Sequence, residues 1–215
     1  MRGKVFYAGW VIAITVGVVV YCGSAVTNRG QTAQPAAVQE GPAASDRLRS
    51  FALTDSSGSV VTDRSFRGDW FVVFFGFTHC VDICPAALFK LSKALEALGD
   101  PAARVRVAFI TIDPDRDSPQ VLHTYLKPFG PRFIGLSGTQ EQISATEETF
   151  RAYAEKQAKK ADGVYAMNHS NALYVIDPNG AFRRQISAES TIPDLTASLR
   201  NAMNLKAQGQ APGGS

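Results

Sequence analysis

The sequence predicts an α/β domain built on a mixed central sheet flanked by helices. Two observations carry that expectation. The apolar run Trp70-Phe71-Val72-Val73-Phe74-Phe75 has the composition of a strand buried on both faces, and it runs straight into a helical pattern. A second buried strand follows that helix, and a strand pair with a closing helix ends the domain, an order that calls for a mixed sheet.

Element by element, Phe51–Thr54 and Val60–Thr62 flank the turn-rich Asp55-Ser56-Ser57-Gly58 and predict a small hairpin. After the Trp70–Phe75 strand, Cys84, Leu88, Leu91, Leu95 and Leu98 mark one face of a helix that stops near Gly99-Asp100-Pro101. Val105–Ile112 is the next buried strand, closed by Asp113-Pro114. Ser118-Pro119 opens a short helix carrying Val121, Leu122, Tyr125 and Leu126. A longer helix is expected from Gln140 to Lys159, with Ile143, Phe150 and Ala154 inward. Ala172–Ile176 and Ala181–Ile186 form a strand pair about Asp177-Pro178-Asn179-Gly180. Ile192, Leu195, Leu199 and Met203 give the closing helix its apolar face. With a pair of cysteines at the first strand-to-helix junction, this order fits a thioredoxin-like fold.

At 215 residues the chain holds one well-packed domain plus extensions. A net charge of +3 with scattered basic residues argues against nucleic acid, and the short run Lys156–Lys160 reads as a solvated helix face. Arg2 and Lys4 precede an apolar stretch from Val5 to about Val26, close to the minimum for a transmembrane helix, with the charged end cytoplasmic. The expectation is an uncleaved anchor over residues 1–26. A signal peptide cut near Gly23-Ser24-Ala25 is the competing reading, and bulky Tyr21 speaks against a lipoprotein anchored at Cys22. In either case the body lies outside the cytoplasm. Residues 27–46, rich in Ala, Gln, Gly and Pro, read as a flexible linker, and 206–215 as a disordered tail. Residues 47–205 form the domain.

Three cysteines are too few for a disulfide scaffold, so Cys80 and Cys84 are read as functional. Four residues apart, they are expected on one face of a first helical turn, able to close a disulfide or to clamp one soft metal ion. Of the three histidines, His123 falls in a short amphipathic helix as a surface residue, and His79 adjoins Cys80 but is expected to point away. His169, in the polar loop Ala166-Met167-Asn168-His169-Ser170-Asn171 before a buried strand, is expected to face the dithiol. Two thiolates and one imidazole make a three-coordinate site that suits copper. A thiol–disulfide oxidoreductase, a thiol peroxidase and a plain structural disulfide remain open on the same residues. Against a general thioredoxin, the loop facing the dithiol carries His169 and no proline. Asp113, Asp115 and Asp117 alternate as hard-metal ligands do, but Pro114, Pro119 and Arg116 predict a rigid exposed loop instead, a possible docking surface.

Three segments carry a family resemblance. Gly76-Phe77-Thr78-His79-Cys80-Val81-Asp82-Ile83-Cys84-Pro85 resembles the signature of the Sco/SenC proteins. Thr111-Ile112-Asp113-Pro114-Asp115-Arg116-Asp117-Ser118-Pro119 is similar to that family's acidic stretch, and Asn168-His169-Ser170 to its Asp-His-Ser/Thr motif. The resemblance spans about Leu48 to Leu205. It implies a membrane-tethered copper protein that assists assembly of the copper centre of cytochrome c oxidase. Cys80, Cys84 and His169 would ligate one copper per chain, and a Cys80–Cys84 disulfide would be the oxidised, copper-free state. A monomer on the bacterial inner membrane, its domain in the periplasm, would meet the copper-centre subunit of the oxidase or another copper-handling protein. Two departures stand out. Val81 replaces a proline after the first cysteine, and Asn168 replaces the aspartate beside the histidine, a change that bears on copper affinity.

Overall fold

The computed structural model describes residues 50–158 and 165–205. The expected anchor (1–26), the linker (27–46) and the tail (206–215) lie outside the described residues, as does Cys22. Among the described residues no helix is long and apolar enough to cross a membrane.

A five-stranded sheet in the order β5-β4-β3-β8-β9 forms the centre. Its strands are β3 (Trp70–Gly76), β4 (Val105–Thr111), β5 (Phe133–Leu136), β8 (Ala172–Ile176) and β9 (Phe182–Ser187). β3, β4 and β5 run parallel, whereas β8 is antiparallel to both β3 and β9. β3 is therefore central, paired with β4 on one side (Phe74 opposite Phe109) and with β8 on the other (Phe74 opposite Leu173).

Alternation along β3 divides the core into two layers. Val72 and Phe74 face the layer that holds helix α1 (Ile83–Leu98), helix α2 (Pro119–Leu126) and the closing helix α4 (Ile192–Ala202). Phe71, Val73 and Phe75 face helix α3 (Gln140–Phe150) and the hairpin of β1 (Ala52–Thr54) and β2 (Val60–Thr62). In the second layer Phe150 meets Phe75 and Tyr174, each at 5.5 Å between ring centres. Such aromatic pairs contribute about 0.5–1.5 kcal/mol each beyond their buried area.

Two elements differ from expectation. The four residues of β5 escape the sequence patterns because the strand is short and contains Gly135. A Cβ there would stand 2.5 Å from the Leu122 Cβ, so only glycine lets α2 lie against the strand. The second difference is the helix expected to reach Lys159, which ends at Phe150, where Arg151 turns left-handed (φ 51°). Ala154–Lys156 is instead a short strand, β6, antiparallel to β7 (Met167–His169), with Ala154 opposite His169. Helix propensity favours the Ala-Glu-Lys-Gln composition of this stretch, but tertiary pairing overrides it. Lys156 consequently lies on a strand rather than on a helix face.

Candidate metal centre

The site is assembled at the end of β3. Gly76 closes the strand, Phe77–Asp82 form a loop, and α1 begins at Ile83. Cys84 therefore lies in the first turn of α1, but Cys80 precedes the helix, contrary to the expectation that both share a helical turn. The Cys84 amide N–H, free because it opens the helix, donates to Cys80 Sγ at 3.3 Å and draws the sulfurs together. Cys84 is fully buried, while Cys80 is half-buried, and both are free thiols.

Gly76 makes room for the pair. A Cβ on it would come within 2.8 Å of the Phe109 ring and 3.0 Å of Cys84 Sγ. The approach of that sulfur to the sheet depends on a residue without a side chain. A glycine ending an apolar strand is the one sequence signal that points to it.

His169 lies at the end of β7, not in a loop. The β6–β7 ribbon carries its ring beneath Phe74 and Phe77, at 6.3 and 6.1 Å between ring centres. Ser170 anchors the ribbon, since its amide donates to the Tyr153 carbonyl and its hydroxyl accepts from the Tyr153 amide, both at 2.8 Å. His169 Nδ1 is 3.1 Å from the Ser170 carbonyl, an acceptor only, which assigns the ring proton to Nδ1. Nε2 then presents its lone pair 3.7 Å from Cys84 Sγ. Burial lowers the His169 pKa below its ordinary 6.5, opposed by the bond to Ser170, and so keeps that lone pair free. Burial likewise pushes the Cys84 thiol far up, with a backbone bond from Phe77 opposing it and Cys80 adding to it.

The ligating atoms of Cys80, Cys84 and His169 all lie within 4.8 Å of one another. This geometry brings the three sequence-selected residues to one point, and the other two histidines stay out of it. His79 is exposed and sits 4.0 Å from Asp117. His123 is exposed on α2, 3.5 Å from Ser56 Oγ. Asn168 alternates away from His169, exposed on the ribbon opposite Glu155.

The acidic stretch has a different role from the exposed loop expected of it. Asp117 is fully buried and accepts from the Thr78 amide (2.9 Å), the Thr78 hydroxyl (2.5 Å) and the Thr111 hydroxyl (2.7 Å). It pins the segment that delivers Cys80. Asp113, also buried, accepts from Tyr165 Oη at 2.7 Å and pairs with Arg116. Only Asp115 is exposed, paired with Lys156 at 3.0 Å. The three carboxylates diverge to separate partners instead of converging on a cation.

A dithiol at the mouth of a central strand, with an imidazole held over it from a separate ribbon, defines a thioredoxin-like domain with a compact donor set able to hold one soft metal ion. The chain belongs to the SCO1/SenC family, whose sequence model matches residues 39–204. It is 39% identical over 155 residues to the mitochondrial SCO2 homolog of Danio rerio, covering 71% of this chain and 56% of that protein. To an SCO2-like protein of Rickettsia conorii it is 37% identical over 152 residues, covering 70% of this chain and 74% of the relative. The chain thus matches little more than half the length of the animal relative. Among solved structures, copper-bound ScoI of Bradyrhizobium japonicum superposes with a TM-score of 0.66 at 38% identity, covering 73% of this chain and 99% of the other. Copper-bound ScoI of Arabidopsis thaliana gives 0.70 at 32% identity, covering 75% and 100%.

Proposed function

We propose that this protein is a copper carrier that binds one copper ion through Cys80 Sγ, Cys84 Sγ and His169 Nε2. On this reading it hands the ion on during assembly of the copper centre of cytochrome c oxidase. The observation that carries the proposal is the convergence of three ligating atoms within 4.8 Å from residues 85 positions apart. The donor set fits the ion: soft thiolates select Cu(I), and imidazole tolerates both oxidation states. Copper bound in the solved relatives supports the same reading. So does the half-exposed position of Cys80, from which the ion can be passed by stepwise ligand exchange. Tethering through residues 1–26, with the domain on the periplasmic side as a monomer, completes the proposal. The reduced domain should take up one copper per chain, and His169→Ala should bind it more weakly. Equal affinity in that variant would remove the three-ligand site.

A thiol–disulfide exchange role is the second reading, favoured by the asymmetry of the pair. Cys80 is accessible and receives the Cys84 amide, a donor suited to a charged sulfur, while Cys84 is sealed in the core. Cys80 would attack a partner disulfide and Cys84 would resolve the mixed disulfide, leaving the partner as a dithiol and this chain oxidised. A Cys84→Ser variant that captures no covalent partner in its native membrane would count against this role.

A further inference from the structure

The β6–β7 ribbon that carries His169 pairs with no strand of the central sheet. A lone two-stranded ribbon is marginal by itself, so its place over the dithiol depends on side chains. At the end of the ribbon away from His169 stands Tyr165, which belongs to no helix or strand and is nonetheless buried. Its hydroxyl donates to Asp113 at 2.7 Å. Two cations lie over its ring, the Arg116 guanidinium at 3.7 Å and Lys156 Nζ at 4.0 Å. Arg116 pairs in turn with Asp113, and Lys156 with Asp115 at 3.0 Å. Arg116 is mostly buried and its Nη2 makes no hydrogen bond, so Asp113 and the ring compensate much of the cost of burying that charge. The same guanidinium lies 5.9 Å from the Phe77 ring, which stands 6.1 Å from the His169 ring. A continuous stack thus runs Tyr165, Arg116, Phe77, His169. The loop between β4 and α2 therefore grips both halves of the centre, the Cys80 segment through Asp117 and Thr78 and the ribbon through Arg116 and Tyr165.

We propose that Tyr165 and Arg116 are positioning residues of the centre, a clamp that fixes the ribbon against the dithiol loop and so governs how readily His169 lets go of a bound ion. The inference deepens the copper-carrier reading and rests on it for the ion. With the clamp closed, all three donors surround one point. With it open, the imidazole leaves with the ribbon and the two sulfurs alone remain, a set from which the ion passes more readily to another protein's donors. Release then runs through the open form, and its rate follows the population of that form.

The test is Tyr165→Leu in the reduced full-length protein, read without and with copper. Without copper, hydrogen exchange is followed at the Gln157 and Ser170 amides, which bond to the Ala166 and Tyr153 carbonyls. Both should exchange about tenfold faster, the scale of losing two cation–ring contacts, while the β3–β4 amides stay at wild-type rates. Lys156→Met alters the exposed edge of the clamp, leaves the core intact, and should speed the same two amides about threefold. Loaded with Cu(I), Tyr165→Leu should release the ion to excess chelator about tenfold faster, in step with ribbon opening. The same change added to His169→Ala should leave that variant's release rate where it was, because the clamp acts only through the imidazole. A merely structural role would speed release in both backgrounds. Wild-type exchange of the ribbon amides, or equal acceleration of release in both backgrounds, would overturn the proposal. If the wild type takes up no copper, the copper reading fails by itself, and ribbon exchange still decides the clamp.

Discussion

His169 and Cys84 are titratable groups held neutral by the same apolar surroundings, and their opposite shifts each contribute one limb to the pH dependence of the metal-free domain's stability, the His169 limb running against that of Glu147, whose carboxyl burial pushes up to about 7. The folded His169 resists protonation, whereas in the unfolded chain it takes up a proton near pH 6.5. Below that pH the unfolded state binds more protons at this group, so its contribution falls as pH drops from about 6.5 to the folded pKa. Cys84 acts at the other end. Its folded pKa is raised above the ordinary 9.0, so the unfolded thiol ionises first and stability falls as pH rises above about 9. Urea midpoints measured across this range in wild type and variants should separate both limbs. His169→Gln should remove the acid limb alone, and Cys84→Ser the alkaline limb alone; an acid-range slope identical to wild type in His169→Gln would assign it to another group.

Gly76 sets a steric limit at the same scale. With alanine there, the Phe109 ring and the Cys84 sulfur must both move away from a Cβ that would otherwise sit 2.8 and 3.0 Å from them. Neither neighbour has room, because both are fully buried. The cost expected is about 1–3 kcal/mol, as for overpacking elsewhere in cores. Denaturant unfolding of Gly76→Ala should show that loss, accompanied by weaker copper binding; stability equal to wild type would mean that the core yields at this point.

At the scale of elements, the loop between β3 and α1 is positioned by a residue from another connection, the one between β4 and α2. Three donors converge on the buried Asp117 carboxylate, two of them from Thr78, two residues before Cys80. Asp117→Ala leaves those donors buried without an acceptor and should destabilise the fold by about 3 kcal/mol. Asp117→Asn keeps the shape but turns an amide N–H₂ toward one of the donors, and should cost less while still loosening Cys80. Chemical denaturation and the alkylation rate of Cys80 measure the two effects; an unaltered alkylation rate in Asp117→Asn would separate this anchor from the site.

The strand Trp70–Phe75, the α1 face and the β8–β9 pair are legible in sequence because burial on one or both faces writes a period into the chain. The cysteine pair and His169 are legible as residue types able to bind a soft metal. What is not legible depends on partners remote in sequence. Asp117 looks like one of three exposed acids until Thr78 and Thr111 surround it. The β6 strand has the composition of a helix, and only its pairing with β7 makes it extended.

For the whole molecule, the centre joins two regions that are separate along the chain, the β3–α1 junction and the β6–β7 ribbon. A copper ion held by both acts as a cross-link available only to the folded state. Cys80 and Cys84, by contrast, are local and can bind an ion even in an unfolded chain. Ligand binding stabilises the native state by its preference over the unfolded one, about 2.7 kcal/mol when free ligand is a hundred times the dissociation constant. In a domain of this size each kcal/mol corresponds to roughly 2–4 °C in melting temperature. Cu(I) supplied to the reduced wild-type domain at a free concentration about a hundred times the dissociation constant should therefore raise its melting temperature by about 5–10 °C. The His169→Ala variant retains two sulfurs that bind folded and unfolded chains almost alike, so its copper-induced rise should nearly vanish even where it still holds the ion. Scanning calorimetry of both proteins, with and without copper, compares the two increments; equal increments would place the cross-link elsewhere than between the dithiol and the ribbon.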